Sequence, residues 1–335
     1  MPLNQRSIPI TDRSSIGEAR RVAVQAAQAL GFAEEHRSDI GIVATEAATN
    51  ILLHAQTGEL LVCPFLETEA GWLDLFALDT GRGIDDISRA MEDGFSSAGT
   101  AGHGLGAIER LSDLTSLYSL AEKGTAHWSR FLLGVPGPSS SVGVVSIPVR
   151  GETKCGDAFF MEIGASRSLY MVVDGLGHGA GATEAAEEAV ATVKRSSQES
   201  LTEILLRSHN ALKKTRGAAM SIAAIDHERQ VMKFAGIGNV GALLITGSGS
   251  RSLVSQNGTL GVVLPRTTQE YTYPIERNTS LLMFSDGLST KTSTAGYPGI
   301  LNRHAALVAG ILYRDFGRRR DDATVLFAPI GGVTE

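Results

Sequence analysis

Cysteine is scarce in this sequence, with only Cys63 and Cys155 among 335 residues. Two cysteines in a chain of this length do not make a disulfide framework, and we expect both to be reduced thiols. No apolar stretch comes near the ~20 residues that a membrane-spanning helix requires. The first thirty residues also lack the basic and then apolar pattern of a signal peptide. These absences predict a soluble, cytoplasmic protein.

Concentrated positive charge is missing as well. The formal net charge is -6, and the arginine run at 318–320 is followed directly by two aspartates. A nucleic-acid-binding groove normally presents a basic stripe. The sequence therefore predicts a protein that binds neither nucleic acid nor membrane.

One segment, GVPGPSSSVG at 134–143, crowds glycine, proline and serine between two apolar regions. This composition is typical of a linker. We predict a first domain at 1–136, a linker at 137–142 and a second domain at 143–335. The first domain mixes helical patterns with strand-like runs, whereas the second has many short β-rich runs and helical stretches at 181–195 and 199–213. This pattern predicts an α+β protein whose second domain stacks antiparallel sheets with helices outside them.

Polar residues and glycines of the first domain form three motifs. Glu46 and Asn50 are four residues apart on a predicted helix and share one face. Their oxygens could lie beside a magnesium ion, although such a pair could equally be an exposed polar face. Asp79 ends an apolar strand before a glycine-containing loop, and a second glycine-rich segment opens a helix, where backbone N–H groups suit phosphate oxygens.

In this order, the three motifs resemble the N, G1 and G2 boxes of the histidine-kinase-like ATPases, over roughly residues 13 to 133. The stretch GLGAIERLSD is most similar to the RsbT and anti-sigma serine kinases. The resemblance implies a sandwich of helices on a mixed sheet that binds ATP with one magnesium ion and has protein serine kinase activity.

The same resemblance implies roles for individual residues. Asn50 would bind magnesium, Asp79 would bind the adenine amino group, and Thr125 would support the adenine site. Glu46 would be the general base that accepts the proton of a protein serine or threonine. The other ATP-binding positions would be Gly81, Gly83, Gly102, Gly104, Leu105 and Gly106.

Aspartates at the edges of apolar runs recur through the second domain. They are Asp157 in KCGDAFF, Asp174 in VVDGLGHG, Asp286 in MFSDGLS and Asp322 in RRDDATVLF. Each alone could be a turn residue or a cap. If they converge, they repel one another unless cations neutralise them, and oxygen ligands suit magnesium or manganese.

The segments GD, DGLGHG, SDGL and DDAT, in this order, are similar to the SpoIIE and RsbX branch of the metal-dependent protein phosphatases. The resemblance covers nearly all of 143–335 and implies an α-β-β-α sandwich. Asp157 and Asp174 would bridge two metal ions, the Gly175 carbonyl would add a ligand to one, and Asp286 and Asp322 would complete the other. The implied reaction is attack of a metal-activated water on a protein phosphoester.

Three histidines and one arginine lie near these motifs without an assigned role. We expect His54 to pack or to support the site, and His103 to belong to a lid over ATP. His178 either donates a proton or stabilises its loop. Arg150 is a candidate phosphate-binding arginine, and its position alone supports it.

Together the resemblances imply a partner-switching system. A STAS-domain protein would be phosphorylated by the first domain and restored by the second, controlling a sigma factor or another output. The first domain could be an active kinase or a nucleotide-dependent regulator of the phosphatase. Kinases of this kind often dimerise, so a homodimer is part of the expectation. A different interpretation is a binding module that sequesters a sigma factor or a STAS protein without transferring phosphate.

Overall fold

The computed structural model of the chain describes residues 4–67, 70–84 and 104–332, which form two compact units. The first unit comprises Met1–Gly137 together with Asn302–Arg314, and the second comprises Pro138–Leu301 and Asp315–Glu335. The segment Asn302–Arg314 was expected in the second domain, and the structure instead packs it into the first unit. Within the described ranges, no helix has the length and apolar character needed to cross a membrane.

The first unit is built on one five-stranded sheet with strand order β1-β2-β3-β5-β4. All of its described pairings are antiparallel, where a mixed sheet was expected. The strands are β1 (Arg6–Ile10), β2 (Gly58–Leu66), β3 (Gly71–Asp79), β4 (Leu114–Leu120) and β5 (Gly124–Leu133). The helices of this half are α1 (Arg13–Leu30), α2 (Glu34–Ala55) and α3 (Gly104–Leu111).

Helix α1 begins and ends at residues that satisfy its terminal backbone groups. The Asp12 carboxylate accepts hydrogen bonds from the backbone N–H groups of Ser14 and Ser15, and Gly31 ends the helix with φ 95°. Buried alanines, including Ala19 and Ala23, face the core that α1 and α2 share with one side of the sheet. Small side chains let the helices approach the sheet closely.

The opposite side of this sheet is covered by helix α6 (Ala305–Phe316). Residues 305–314 are all buried, as expected for a helix that is apolar all round. Just before the helix, the ring of His304 stacks on Trp128 at 4.2 Å. Gly310 lies against the ring of Phe76, where a Cβ atom would be 2.7 Å from the phenyl Cδ1. This helix is therefore part of the first unit's core.

A buried ion pair lies on the same side of the sheet. Arg130 Nε donates to Asp74 Oδ1 at 2.7 Å, and Nη2 donates to Oδ2 at 2.7 Å. The guanidinium carbon lies 4.6 Å from the ring centre of Trp72 and 5.1 Å from that of Trp128. The bidentate hydrogen bonds and the faces of the two rings together stabilise the Arg130 guanidinium, a charge that would be costly to bury alone.

The second unit contains two five-stranded antiparallel sheets, with strand orders β13-β10-β9-β8-β7 and β12-β11-β14-β15-β6. The strands are β6 (Gly143–Ile147), β7 (Asp157–Ile163), β8 (Arg167–Gly175), β9 (Ala218–Asp226), β10 (Val231–Ile237), β11 (Gly241–Thr246), β12 (Gly249–Ser252), β13 (Tyr271–Pro274), β14 (Ser280–Phe284) and β15 (Ala323–Pro329). Helices α4 (Ala180–Arg195) and α5 (Leu201–Leu212) bury their apolar faces on the first of these sheets. The predicted α+β class, with antiparallel sheets and outer helices in the second half, is confirmed.

We predict that Gly310→Ala destabilises the first unit by about 1–3 kcal/mol, because the new methyl group would overlap the fully buried ring of Phe76. Thermal or urea unfolding of the full chain measures the effect. Gly17→Ala is the matched control, since a Cβ atom there meets nothing within 4 Å. Helix propensity favours alanine at both positions, so equal stabilisation by the two substitutions would contradict the described packing of α6.

Candidate functional site

Two aspartates meet across the first sheet of the second unit. Asp157 is the first residue of β7, Asp174 is the last but one of β8, and the strand register places them directly opposite each other. Residues in such cross-strand positions have Cβ atoms about 4.5–5.5 Å apart. One strand begins at an aspartate and the next has an aspartate at its end, so the hairpin brings the two carboxylates together.

The second sheet brings two more carboxylates to this pair. Asp286 follows β14 and Asp322 precedes β15, and these two strands are antiparallel neighbours. Asp322 is held by backbone donors, with Val149 N at 2.8 Å from Oδ1 and Gly156 N at 2.9 Å from Oδ2. The structure thus brings all four predicted aspartates of the second unit to one end of its sheets.

Burial and mutual repulsion shift the pKa of every carboxyl in this group. Burial, together with the charges of Asp286, Asp321 and Asp322, raises the pKa of Asp174 to about 8. Burial, followed by the charge of Asp174, raises the pKa of Asp157 well above its usual range. Burial is also the main cause of the raised pKa values of Asp286 and Asp322.

The donor set fits a divalent cation. Asp157 is only 5% exposed, and its Oδ2 is buried without a hydrogen-bond partner among the described residues. Carboxylate oxygens that lack donors are the ligands that magnesium and manganese prefer. In the part of the chain that the structure describes, no three His, Cys, Asp or Glu side chains are placed to hold one metal ion together. An ion here would therefore combine one or two carboxylates with a backbone carbonyl, such as that of Gly175, and water.

Glycine beside these aspartates has a steric cause. A Cβ atom on Gly156 would lie 2.6 Å from Asp322 Oδ2 and 2.7 Å from Ala182 Cβ. A Cβ atom on Gly175 would lie 2.9 Å from the carbonyl oxygen of Gly156. The bare backbone at Gly156 therefore leaves room for the Asp322 carboxylate, and that at Gly175 leaves room for the backbone of Gly156 and of α4.

Two polar residues of this site were missed from the sequence. Asn239 Nδ2 donates to Asp286 Oδ2 at 2.7 Å, in a turn where Gly238 has φ 92°. Asp321 accepts from the backbone N–H of Asp322 at 2.9 Å and raises the pKa of Asp174. An asparagine after a glycine at a strand end is a weak sequence signal. Asp321 is the first aspartate of DDAT, and the sequence did not indicate that both aspartates of this motif would lie in the site.

His178 and Arg150 lie at the edge of the site. His178 Nδ1 is 3.0 Å from Glu152 Oε1, and its side chain is 61% exposed. This contact favours the loop-stabilising interpretation of His178. Arg150 is exposed and follows Val149, the residue whose N–H binds Asp322.

The first unit contains a second polar site, which faces the start of α3. A Cβ atom on Gly104 would lie 3.2 Å from Glu46 Oε2 and 3.3 Å from Asn50 Oδ1. Glu46 and Asn50 therefore share a face of α2, as predicted, and the helix start approaches both. Asn50 Nδ2 is buried without a partner among the described residues, so this amide can bind a group that enters the site.

Asp79 is held at the end of β3 by two backbone donors. Its Oδ1 accepts from Gly81 N at 2.8 Å and from Thr125 N at 3.1 Å. Burial raises the pKa of Asp79, while these two bonds and the nearby charge of exposed His54 oppose the rise. Since both bonds end on Oδ1, Oδ2 can accept a hydrogen from a ligand such as the adenine amino group.

Several glycines predicted to contact ATP have packing roles. A Cβ atom on Gly81 would lie 2.8 Å from Ala55 Cβ, and Gly83 has φ 81° and lies against the backbone of Leu120. Leu105 packs against the helical core of the unit, and Gly106 is buried. The predicted residues Gly102 and His103 lie outside the described residues.

Arg314, on α6, is a further residue of this site that the sequence did not indicate. Its Nη1 donates to the backbone carbonyl of Asp79 at 2.8 Å. The charge of Arg314 also lowers the pKa of the Asp79 carboxyl against the effect of burial. The bond joins residues 235 positions apart, which explains why no local motif could reveal it.

Comparison with known proteins gives each half a family. Residues 9–128 match the family model of the histidine kinase-like ATPase domain, and residues 164–330 match that of stage II sporulation protein E, SpoIIE. The first half belongs to the kinase-like family, and the chain joins it to a SpoIIE-like domain in one polypeptide. Its ATPase half is 36% identical over 122 residues to the serine/threonine-protein kinase RsbT of Bacillus subtilis (strain 168), covering 36% of this chain and 92% of RsbT.

The SpoIIE half has relatives of its own. The phosphoserine phosphatase RsbX of Bacillus subtilis (strain 168) is 28% identical over 146 residues, covering 44% of this chain and 73% of RsbX. A solved structure from work on the bacterial stressosome, described as a modular system adapted to control secondary messenger signaling, matches with 27% identity and a TM-score of 0.52. It covers 56% of this chain and 97% of that one. The expected fusion of an RsbT-like with an RsbX-like domain is confirmed, and the metal-ligand roles stay predictions.

We predict that manganese stabilises the full chain more at pH 8 than at pH 6. The raised pKa values mean that the folded, metal-free protein retains protons that the unfolded chain has released, so its stability falls as the pH rises from about 4 to about 8. An ion that replaces those protons removes this loss. Thermal unfolding with manganese or with chelator measures the gain, and Asp157→Asn is expected to remove most of it. An equal gain at both pH values would contradict the assignment.

Proposed function

We propose that the chain is a metal-dependent protein serine/threonine phosphatase joined to an ATP-binding serine kinase domain of the anti-sigma type. One observation carries the phosphatase half: the Asp157–Asp174 pair lies with Asp286 and Asp322, and Asp157 keeps a buried oxygen to which no described residue donates. Similarity to a phosphoserine phosphatase supports a protein phosphoester as the substrate.

In the proposed phosphatase, the aspartates hold two magnesium or manganese ions. Asp157, Asp174, Asp286 and Asp322, with the Gly175 carbonyl, would supply the protein ligands, and water would fill the remaining positions. When bound, such ions would lower the pKa of a water molecule and neutralise charge on the phosphoryl oxygens. Asn239 orients Asp286, and the backbone donors of Val149 and Gly156 orient Asp322.

The net reaction is hydrolysis of a phosphomonoester. The oxygen of water forms a bond to phosphorus, the bond from phosphorus to the serine or threonine oxygen breaks, and that oxygen takes up a proton. We assign His178 to positioning, because its ring is anchored to Glu152 on the neighbouring loop. The anchored ring fixes the loop that follows Asp174.

In the proposed kinase, Glu46 accepts the proton of the substrate hydroxyl while the oxygen attacks the terminal phosphorus of ATP. The bond from that phosphorus to the bridging oxygen breaks, and ADP leaves. Asn50, one turn further along α2, would hold the magnesium ion that accompanies ATP, and Asp79 Oδ2 would accept the adenine amino hydrogen. Gly104 supports this arrangement because its missing side chain leaves the Glu46 and Asn50 oxygens accessible from α3. Thr125 holds Asp79 through its backbone N–H.

The opposed activities suggest a shared protein substrate. RsbT is a serine/threonine kinase and RsbX a phosphoserine phosphatase, and this chain resembles both. We assign it to a partner-switching pathway in the cytoplasm, in which a STAS-domain protein gains and loses one phosphate and a sigma factor is a possible output. We also propose that the chain forms a homodimer through its ATPase half.

A second candidate is a phosphatase that is regulated by nucleotide and has no kinase activity. The bond from Arg314 to the Asp79 carbonyl favours it, because Arg314 lies within the part of the chain that matches SpoIIE while Asp79 is the proposed adenine ligand. In this candidate, ATP binds at Asp79 and Asn50 and alters α6 without phosphate transfer.

We predict that Glu46→Ala abolishes phosphate transfer from labelled ATP to a STAS protein and leaves dephosphorylation intact, since Glu46 and Asp174 belong to different sites. Asp174→Asn is expected to give the reverse result, a loss of at least about a hundredfold in metal-dependent phosphate release. Both are measured with the full chain, by label incorporation and by phosphate release.

The two variants control for each other. Loss of both activities in either single variant would contradict two separate sites. A wild-type chain that hydrolyses the phosphoprotein but never labels it would favour the nucleotide-regulated phosphatase. Partner binding without either reaction would favour a module that only sequesters its partner.

A further inference from the structure

Arg216 lies where the carboxylate end of the first sheet meets the loop after Asp174. It stands two residues before Ala218, which pairs with Gly175 in the register of β8 and β9. The intervening Gly217 has φ 88°, and its carbonyl accepts the N–H of Leu176 at 3.0 Å. The backbone at Arg216 is therefore fixed beside the residues that directly follow Asp174.

The guanidinium of Arg216 lies on the glycine-rich loop itself. Its Nη1 donates to the carbonyl oxygen of His178 at 3.3 Å. A Cβ atom on Gly181 would lie 2.6 Å from Arg216 Nε and 2.9 Å from Cζ, and one on Gly177 would lie 3.4 Å from Nη1. Glycine at 181 is thus what allows the planar group to rest against the first turn of α4.

The same loop touches the carboxylate group. A Cβ atom on Gly156 would lie 3.3 Å from the Gly177 carbonyl oxygen and 2.6 Å from Asp322 Oδ2. The charge of His178 also lowers the pKa of Asp322, against the effect of burial. Arg216 and Asp322 therefore lie on the two sides of one loop, which Arg216 contacts at Gly177, His178 and Gly181 and which contacts Gly156 beside Asp322.

A site of four carboxylates needs positive charge to receive a phosphate dianion. Arginine has five N–H donors in a fixed plane, and the bond to His178 uses one of them. The residue is exposed, so the other edge of its guanidinium can approach a ligand that enters from solvent. Bidentate donation to two phosphate oxygens is the contact that this group makes best.

We propose that Arg216 binds the phosphate group of the phosphoserine or phosphothreonine substrate and positions it over Asp157, Asp174 and Asp322. This role rests on the proposed phosphatase function and is assigned to Arg216 in preference to Arg150. Arg150 follows a residue that binds Asp322, whereas Arg216 has its guanidinium fixed against the loop. The glycines at 177 and 181 serve this contact in addition to their backbone roles.

The test measures inorganic phosphate binding to the manganese-loaded full chain, together with kcat and KM for a phosphoserine peptide. Arg216→Gln is expected to weaken phosphate binding and to raise KM, each by about tenfold or more, while kcat changes less. Arg216→Lys should recover part of the affinity, because it restores the charge without the planar fork.

Lys214→Gln is the matched control. Lys214 is exposed and two residues away, so its removal changes the net charge equally without touching the loop. We expect its phosphate affinity and manganese affinity to stay within about twofold of wild type, because exposed charges contribute little at physiological salt. Manganese affinity should also be unchanged in Arg216→Gln.

Unchanged phosphate affinity and KM in Arg216→Gln would overturn the proposal, as would a loss of affinity in Arg150→Gln that Arg216→Gln does not match. A wild-type chain that binds phosphate through Arg216 but hydrolyses no phosphoester would instead contradict the phosphatase function. Measuring phosphate binding and turnover separately therefore distinguishes a failure of the Arg216 proposal from a failure of the proposed phosphatase function.

Discussion

Repulsion among buried carboxylates is the constraint on which the second unit depends. Asp157 and Asp174 face each other across paired strands, and Asp286, Asp321 and Asp322 add charge from the adjacent loops. The folded chain tolerates this group because backbone N–H donors hold Asp322 and Asn239 holds Asp286. Burial first, and then mutual repulsion, raises the pKa values of these carboxyls, and bound cations would provide the missing positive charge.

Glycine placement follows from the same constraint. Gly156 and Gly175 allow strand ends to approach until carboxylate and carbonyl oxygens share one small volume. Gly181 allows an arginine to lie on the next helix. In the segment DGLGHGAG, Gly175 and Gly181 are therefore required to be glycine, because neighbouring atoms fill the space that a side chain would need.

In the first unit, the corresponding constraint is the position of Asp79. Backbone donors at Gly81 and Thr125 fix its carboxylate, and Arg314 fixes its carbonyl from a helix more than two hundred residues away in sequence. The same helix fills the side of the sheet that holds Trp128 and the buried Arg130–Asp74 pair. A segment inside the SpoIIE match is therefore needed to complete the core of the ATPase half.

Local patterns predicted much of this protein. Alternating and helical patterns of apolar residues indicated the strands and helices of the two domains. The order of the motifs placed Glu46, Asn50 and Asp79 in one unit and four aspartates in the other. Asn239, Arg216 and Arg314 were not predicted as site residues, because each acts through a contact set by strand register or helix docking. The apolar pattern of α6 indicated burial without naming the surface that it covers, and the packing roles of Gly81 and Gly83 depended on neighbours that no sequence pattern specifies.

Anomalous X-ray scattering from manganese-soaked crystals of the full chain tests the central claim most directly. The account predicts two manganese peaks beside Asp157 and Asp174, with Asp157 Oδ2 among the ligands, and their loss in Asp157→Asn. Manganese bound elsewhere, or the same peaks in the variant, would contradict the assignment of these aspartates as the metal site.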